Sequence, residues 1–476
     1  MRFKIMKQLR LLLLVFAGLL SSGIISSCIS DDFTTSPTDL LTFSTDTVSF
    51  DTVFTDLGTP TARLKVFNKA KKSVNISSIK FSKSDTYFML NVDGVSGREF
   101  EDVEIRGNDS IFIFIECFIP ETESNEPNLV EDNLQFVTNG VTQNVVVEAY
   151  GQNVTRLTGL EITEDMTFTA ERPYVVFDSL TVEKGATLNI EPGANILFHD
   201  KAKMVVKGTL TAIGAPGKMI NMRGDRLDNV LPDVGYDILA GQWGGITIES
   251  ESFDNIMAYV DMRSTQTGLV VDSCTDLSKR KLVLLNSWLH NSQASAFQSK
   301  YAWVDAYGCV FSEAANASVS LTGGRHEFVQ CTISNYYLFS AITEPLLCLY
   351  HCLPEHQEEN SEPLMAANFL NCILYGLPAD INEGDLTGSN VYLKYTSLKS
   401  HGEDDENFIE CLWDTDPLFY TVREDYYFNY RLQEGSPCIA AGNPAYVNNL
   451  CREDMDGINR LSYGNPDLGA YVYVPN

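Results

Sequence analysis

The sequence predicts an all-β protein in two parts, a sandwich of short strands followed by a solenoid. Three observations carry this expectation. Between Leu41 and Gly151 the apolar residues alternate in short runs, the period of a half-buried strand. Beyond residue 180 short phrases recur about every 22 residues, with Leu188 and Leu210 one period apart. These repeats contain runs of three or four strand-forming residues with Gly or Asn at their ends, and they lack the 3.6-residue period of a helix.

The balance of 34 Lys+Arg against 63 Asp+Glu, a net charge of −29, argues against nucleic acid, because a phosphate backbone is bound by clustered cations. With 44% hydrophobic and 20% charged residues the chain can bury a core, and 476 residues suit two domains better than one unless a solenoid grows along one axis.

The N-terminus addresses the chain. Arg2, Lys4, Lys7 and Arg10 precede the apolar run Leu11 to Leu20, which is too short for a hydrocarbon core needing about 20 residues, so residues 1–27 read as a signal peptide. Ile25-Ser26-Ser27-Cys28 resembles a bacterial lipobox, which implies a lipidated Cys28. Ser30, Asp31 and Asp32 resemble the export signal that sends lipoproteins of Bacteroidota to the cell surface. Residues 28–40, rich in Thr, Ser, Pro and Asp, read as a flexible tether.

Residues 41–152 supply about seven strand-like runs, among them Val48 with Phe50, Leu64 with Val66, Ile111 to Ile115 and Val145 to Val147, with the hairpin dipeptide Asn139-Gly140 between two of them. That count suggests an immunoglobulin-like sandwich without the Cys…Trp…Cys pattern of antibody domains. The order of its phrases, from Lys65-Val66-Phe67-Asn68 through Asn108-Asp109-Ser110 to Tyr150-Gly151, resembles the small sandwich domains of the ASH type, which implies a spacer or docking role.

In residues 157–476 a second phrase recurs at Asn286-Ser287-Trp288, Gly308-Cys309-Val310, Gln330-Cys331-Thr332, His351-Cys352-Leu353 and Asn371-Cys372-Ile373, at intervals of 22, 22, 21 and 20. A parallel β-helix accounts for it, since each turn pairs with the next about 4.8 Å away and equivalent residues stack. Cys309, Cys331, Cys352 and Cys372 then read as an inward core column rather than a disulfide ladder, and a Ser placed there is predicted to cost about 1–3 kcal/mol for want of a partner, an Ala less. Leu180 to Phe198, Gly208-Thr209-Leu210 and Gln242-Trp243-Gly244-Gly245-Ile246 resemble the opening rungs of right-handed parallel β-helix proteins. Asp416-Pro417-Leu418-Phe419, Gly435-Ser436-Pro437-Cys438, Asp456-Gly457 with Arg460, and Pro466-Asp467-Leu468-Gly469 resemble the closing segment of many secreted ones. The scaffold hosts lyases, hydrolases and binding proteins alike.

The chemistry is sparse. Asp254, Asp261 and Asp272, with Arg263 nearby, are the candidate rung carboxylates of a lyase, but their intervals of 7 and 11 do not equal a rung. Asp454 and Asp456, before Gly457, resemble the start of a calcium loop without its remaining ligands. Trp243, Trp288 and Trp303 could offer flat faces to sugars. The acidic runs Glu355 to Glu362 and Glu403 to Glu406 read as protruding solvated loops. No nucleophile elbow, phosphate loop, histidine pair or cofactor motif is present, so no catalytic residue and no cofactor are assigned. The expected function is a non-catalytic, lipid-anchored outer-membrane surface protein that binds a glycan or joins an outer-membrane protein complex. The alternative is a polysaccharide lyase or hydrolase whose site is dispersed across rungs.

Overall fold

The computed structural model describes residues 32–58, 61–231, 234–274, 276–350, 364–382 and 388–475. They form two compact units, the first running to Thr122 and resuming at Pro127–Gln152, the second made of Glu123–Glu126 and the chain from Asn153 onward. Among the described residues the regular structure is β-strand with short 3-10 turns, and no helix is long and apolar enough to cross a membrane. The all-β expectation is met.

The first unit is two sheets closed on one core. Leu41–Phe43, Ala62–Asn68, Asp109–Cys117, Phe88–Val92 and Val95–Gly97 form one; Thr47–Phe54, Val141–Gln152, Asn128–Thr138 and Val74–Phe81 are the main strands of the other. Alternation puts Leu64, Val66, Ile113 and Ile115 from the first sheet and Ile76, Ile79, Phe136 and Val147 from the second into the shared interior. Burying each such side chain stabilises by about 1.5–3 kcal/mol. Asn139 and Gly140 take φ of 52° and 78°, the turn that brings Thr138 opposite Val141.

The tether expectation needs correcting. Cys28, Ser30 and Asp31 lie outside the described residues, but the segment after them is docked on the sandwich. Phe33 bridges Ser73, the Thr34 amide donates to Ser73 O at 2.9 Å, and Asn139 Nδ2 donates to Ser36 O at 2.9 Å. Asp32 is exposed and pairs with Lys72 at 3.6 Å. The polar composition of residues 33–39 reads as loop, but its hydroxyls bond within the segment while its backbone amide and carbonyl groups dock it.

The second unit is a coil of parallel strands with three faces, compatible with a parallel β-helix. One turn runs Gly245–Ile248, Asn255–Ala258, Val260–Thr265; the next runs Leu269–Val271, Leu282–Leu285, Trp288–Ser292. Equivalent residues stack as predicted for Leu188 on Leu210. The inward columns include Met204, Ile246, Leu269, Phe297, Val319 and Leu347 on the first face, Met257, Leu284, Ala306, Phe328 and Phe369 on the second, and Met222, Met262, Leu289, Phe311 and Ile333 on the third.

The cysteine column holds in part. Val310, Thr332 and Ile373 are paired neighbours, so Cys309, Cys331 and Cys372 occupy successive turns, all fully buried and free. Because Thr332 pairs directly with Ile373, no turn lies between Cys331 and Cys372 to receive Cys352, which falls outside the described residues. The column instead extends to Ser287 before Cys309, and to Thr396 and Cys411 after Cys372. One residue ahead of each sits a left-handed corner, at Asn286, Gly308, Gln330, Asn371, Tyr395 and Glu410. Other turns place Asn, Gln, Tyr or Glu at this corner, but at Gly308 a side chain would strike Asn286 Oδ1 at 2.1 Å and Arg460 Nη2 at 2.8 Å, so it is the packing that requires glycine there.

The closing segment does not continue the coil. Phe419, Tyr430, Leu432, Leu468 and Ala470 pack on the outward side of the third face, against Val310 and Ile373. Arg460, fully enclosed, donates to Gly469 O at 3.1 Å and Ala470 O at 2.8 Å, and Asn371 exchanges hydrogen bonds with the Asn443 backbone at 3.0 and 2.8 Å.

Candidate binding cleft

Where the closing segment stops covering the third face, a cleft of about 570 Å³ opens. One wall is an outward ladder in strict register, Asn221 beside Asp261 beside Trp288, with the turn Gly217 to Met219 at its edge. Arg431, Met455, Asp456 and Tyr471 of the closing segment form the other wall.

Two residues along the same strands lies a second outward ladder that fixes the first. Arg263 stacks beside His290, and the Asp237 carboxylate, presented by the turn Tyr236–Ile238, reaches Arg263 Nε at 2.9 Å and Arg223 Nη1 at 3.2 Å. One bridging carboxylate thereby offsets the repulsion between like charges on neighbouring turns. Arg263 also pairs with Asp261, whose other oxygen meets His290 Nε2 at 3.0 Å. Burial resists ionisation of Asp261, but Arg263 and His290 outweigh it and hold its carboxyl well below the usual carboxylate range. Burial lowers the Arg223 guanidinium to about 10, with Asp237 opposing the shift.

Trp288 is partly exposed. His290 stacks on its ring at 4.3 Å, Tyr430 meets it edge-on at 6.1 Å, and its Nε1 donates to Ser312 Oγ at 2.7 Å. Behind this group the Tyr430 hydroxyl donates to Glu313, a fully buried carboxyl that burial pushes up. Opposite, Arg431 lies over the Tyr471 ring at 4.3 Å and forks onto Asp456 at 2.9 and 2.6 Å.

The structure sorts the sequence candidates. Trp288 and Asp261 line the cleft together. Trp243 is removed as a ligand platform: it is fully buried, stacked on Phe198 at 4.0 Å, with Nε1 donating to Arg263 O at 2.7 Å. Trp303 lies on another face, with Arg325 and Arg280 over its ring at 4.5 and 5.2 Å. Asp254 precedes a second-face strand and Asp272 follows a first-face strand, so the three rung carboxylates do not converge. Asp454 serves a turn, its oxygens accepting the amides of Asp456, Ile458 and Val472 at 2.8–2.9 Å, while Asp456 pairs with Arg431. Among the described residues no three His, Cys, Asp or Glu side chains are placed to hold a metal ion. Glu355 to Glu362 lie outside the described residues. The other acidic run, Glu403 to Glu406, is exposed as expected, and Asp404 and Asp405 accept the backbone amides of Glu410, Cys411, Asn407 and Phe408.

Sequence reasoning missed Asp237, His290 and Arg431. The turn joining Asp261 to Trp288 is 27 residues long, so a 22-residue count does not align Arg263 with His290. Arg431 comes from a segment that folds back.

No protein-family model matches the chain, and no curated protein matches it. Among solved structures it shows likeness to a protein of unknown function from Porphyromonas gingivalis W83, at 10% identity over 26% of this chain and 59% of that one, with a TM-score of 0.18. It also shows likeness to a family 123 glycoside hydrolase from Clostridium perfringens, at 9% identity over 24% and 25%, with a TM-score of 0.17. The chain thus spans less than two thirds of either structure, and likeness at these scores carries no argument about fold or chemistry.

Proposed function

We propose that the protein is a lipid-anchored surface protein of the outer membrane whose immunoglobulin-like sandwich serves as a spacer and whose right-handed β-helix captures a glycan in the cleft between its third face and its closing segment. The observation that carries this reading is that each carboxylate lining the cleft is already held by a guanidinium, Asp261 by Arg263, with His290 on its other oxygen, and Asp456 by Arg431. A general acid or base must exchange its proton near the working pH, and a carboxylate such as Asp261, paired with a guanidinium and held well below the usual carboxylate range, is poorly suited to that. The same fixed charges suit recognition, since they present oriented acceptors and donors to sugar hydroxyls beside an aromatic surface.

The test is titration of the purified mature protein with a panel of acidic and neutral oligosaccharides, alongside assays for unsaturated uronates and new reducing ends. Saturable binding lost in Trp288→Ala, with no cleavage, supports capture. Cleavage abolished by Asp261→Asn replaces it with the lyase or hydrolase reading. A membrane protein that co-purifies in fixed ratio, with no sugar bound, replaces it with an accessory subunit of an outer-membrane complex.

A further inference from the structure

At one end of the sandwich the loops after Asn68 and after Ile105 come together. Asn68, buried, holds them: its Nδ2 donates to Lys72 O at 2.8 Å, Ile105 O at 2.9 Å and Arg106 O at 3.1 Å. A Cβ at Gly107 would lie 2.1 Å from Lys71 O, so the two loops meet backbone to backbone. This end displays Lys69, Lys71, Lys72 and Arg106, all exposed. The adjoining outer face of the five-stranded sheet carries Phe112 and Phe114, 42% and 40% exposed, with Arg63 and Lys65 over the Phe112 ring at 5.4 and 5.2 Å. The nearby acids are Asp32, paired with Lys72, Asp109, bonded to the Ser110 amide, Glu104, two residues before Arg106, and Glu116, two residues beyond Phe114 on the same outer face. In a chain of net charge −29 this is a cationic, aromatic patch.

We propose that this patch lies on the anionic headgroups of the membrane that anchors the protein. The choice of surface rests on the lipid-anchor reading, because Cys28 precedes Asp32 by four residues, a reach of about 14 Å when fully extended. Asp32 is itself pinned there, its carbonyl accepting the Ser73 amide at 3.2 Å. A lipid on Cys28 therefore holds Lys69, Lys71 and Lys72 within one or two Debye lengths of the headgroups, where charge attraction acts. Phe112 and Phe114, ringed by cations, have the chemistry of the membrane–water boundary.

The experiment uses the full mature chain bearing Cys28→Ala, hence without lipid, floated with vesicles of phosphatidylcholine alone or mixed with phosphatidylglycerol. Binding to the mixed vesicles only, weakened by salt, reduced roughly tenfold or more by Lys69→Glu/Lys71→Glu/Lys72→Glu and unchanged by Lys201→Glu on the solenoid, is the expected result. Phe112→Ser should weaken it less steeply and leave the salt dependence intact. No preference for phosphatidylglycerol, or full retention of binding by the triple variant, overturns the proposal. Failure of lipidation would show separately, as an unmodified Cys28 in cells, and would leave the vesicle result unaffected.

Discussion

Arg431 grips Asp456 through two bonds, Nε to Oδ2 at 2.9 Å and Nη2 to Oδ1 at 2.6 Å, while its guanidinium covers Tyr471. Both side chains are about two-fifths exposed, so this pair adds little to stability, about 0–1 kcal/mol. Its weight falls on the shape of the cleft. Arg431→Ala should leave the unfolding midpoint nearly unchanged and abolish glycan binding in titration calorimetry. Arg431→Lys should also bind poorly, because an ammonium cannot reproduce the fork.

Trp243 and Trp288 should separate cleanly. Trp243 is enclosed against Phe198, and its truncation to Ala opens a cavity costing about 3–5 kcal/mol, with lost solubility or a much lower melting temperature. Trp288→Ala should retain the folded far-ultraviolet circular dichroism spectrum and lose the ligand.

Asp261 sets a pH dependence. Its folded pKa is held below the ordinary value of about 3.9, so its stabilisation is complete above that value and is lost as pH falls from there through the depressed folded pKa. Asp261→Asn should cost about 3 kcal/mol at pH 7, since Arg263 and His290 lose their shared partner in a nearly enclosed site. Below pH 4 the difference from the parent protein should shrink. Urea melts at pH 7, 4 and 3 would check both; a constant difference across them would refute the ionised pair.

How far the sequence reveals this architecture depends on whether a feature is periodic. Leu188 over Leu210 and Cys309 over Cys331 are legible because their turns share one length, and a parallel ladder makes equal spacing equal position. The cleft is not legible, because it is built where regularity fails. A longer turn separates Asp261 from Trp288, a 3-10 turn delivers Asp237, and a fold-back delivers Arg431. His351-Cys352-Leu353 shows the opposite error, a spacing that fits and a strand pairing, Thr332 with Ile373, that excludes it.

Cys28 lies outside the described residues, and its role is tested in cells. Cys28→Ala should leave the protein in the soluble fraction after a high-salt wash, whereas the parent stays with the membrane. Protease added to intact cells should cleave the parent if it is displayed outside. Retention of the variant through the salt wash would exclude lipidation as the anchor.

The cysteine column yields a prediction opposite to the one drawn from composition. Each member donates to the carbonyl two residues before it: Ser287 Oγ to Leu285 O at 2.8 Å, Cys309 Sγ to Tyr307 O at 3.4 Å, Cys331 Sγ to Val329 O at 3.4 Å, Cys372 Sγ to Leu370 O at 3.4 Å and Thr396 Oγ1 to Lys394 O at 3.2 Å. Burial pushes the Cys309 and Cys372 thiols up, which keeps them protonated as donors. A hydroxyl in this column therefore finds an acceptor already in place, as Ser287 and Thr396 demonstrate, and the expected penalty for burying it disappears. Cys331→Ser should cost less than about 1 kcal/mol, the net worth of one exchanged hydrogen bond. Cys331→Ala leaves a void between Cys309 and Cys372 and loses the donor, so it should cost about 1–2 kcal/mol. Denaturant midpoints of the two variants, compared at equal slope, decide the order; a Ser variant less stable than the Ala variant would show that the column depends on sulfur rather than on the donor.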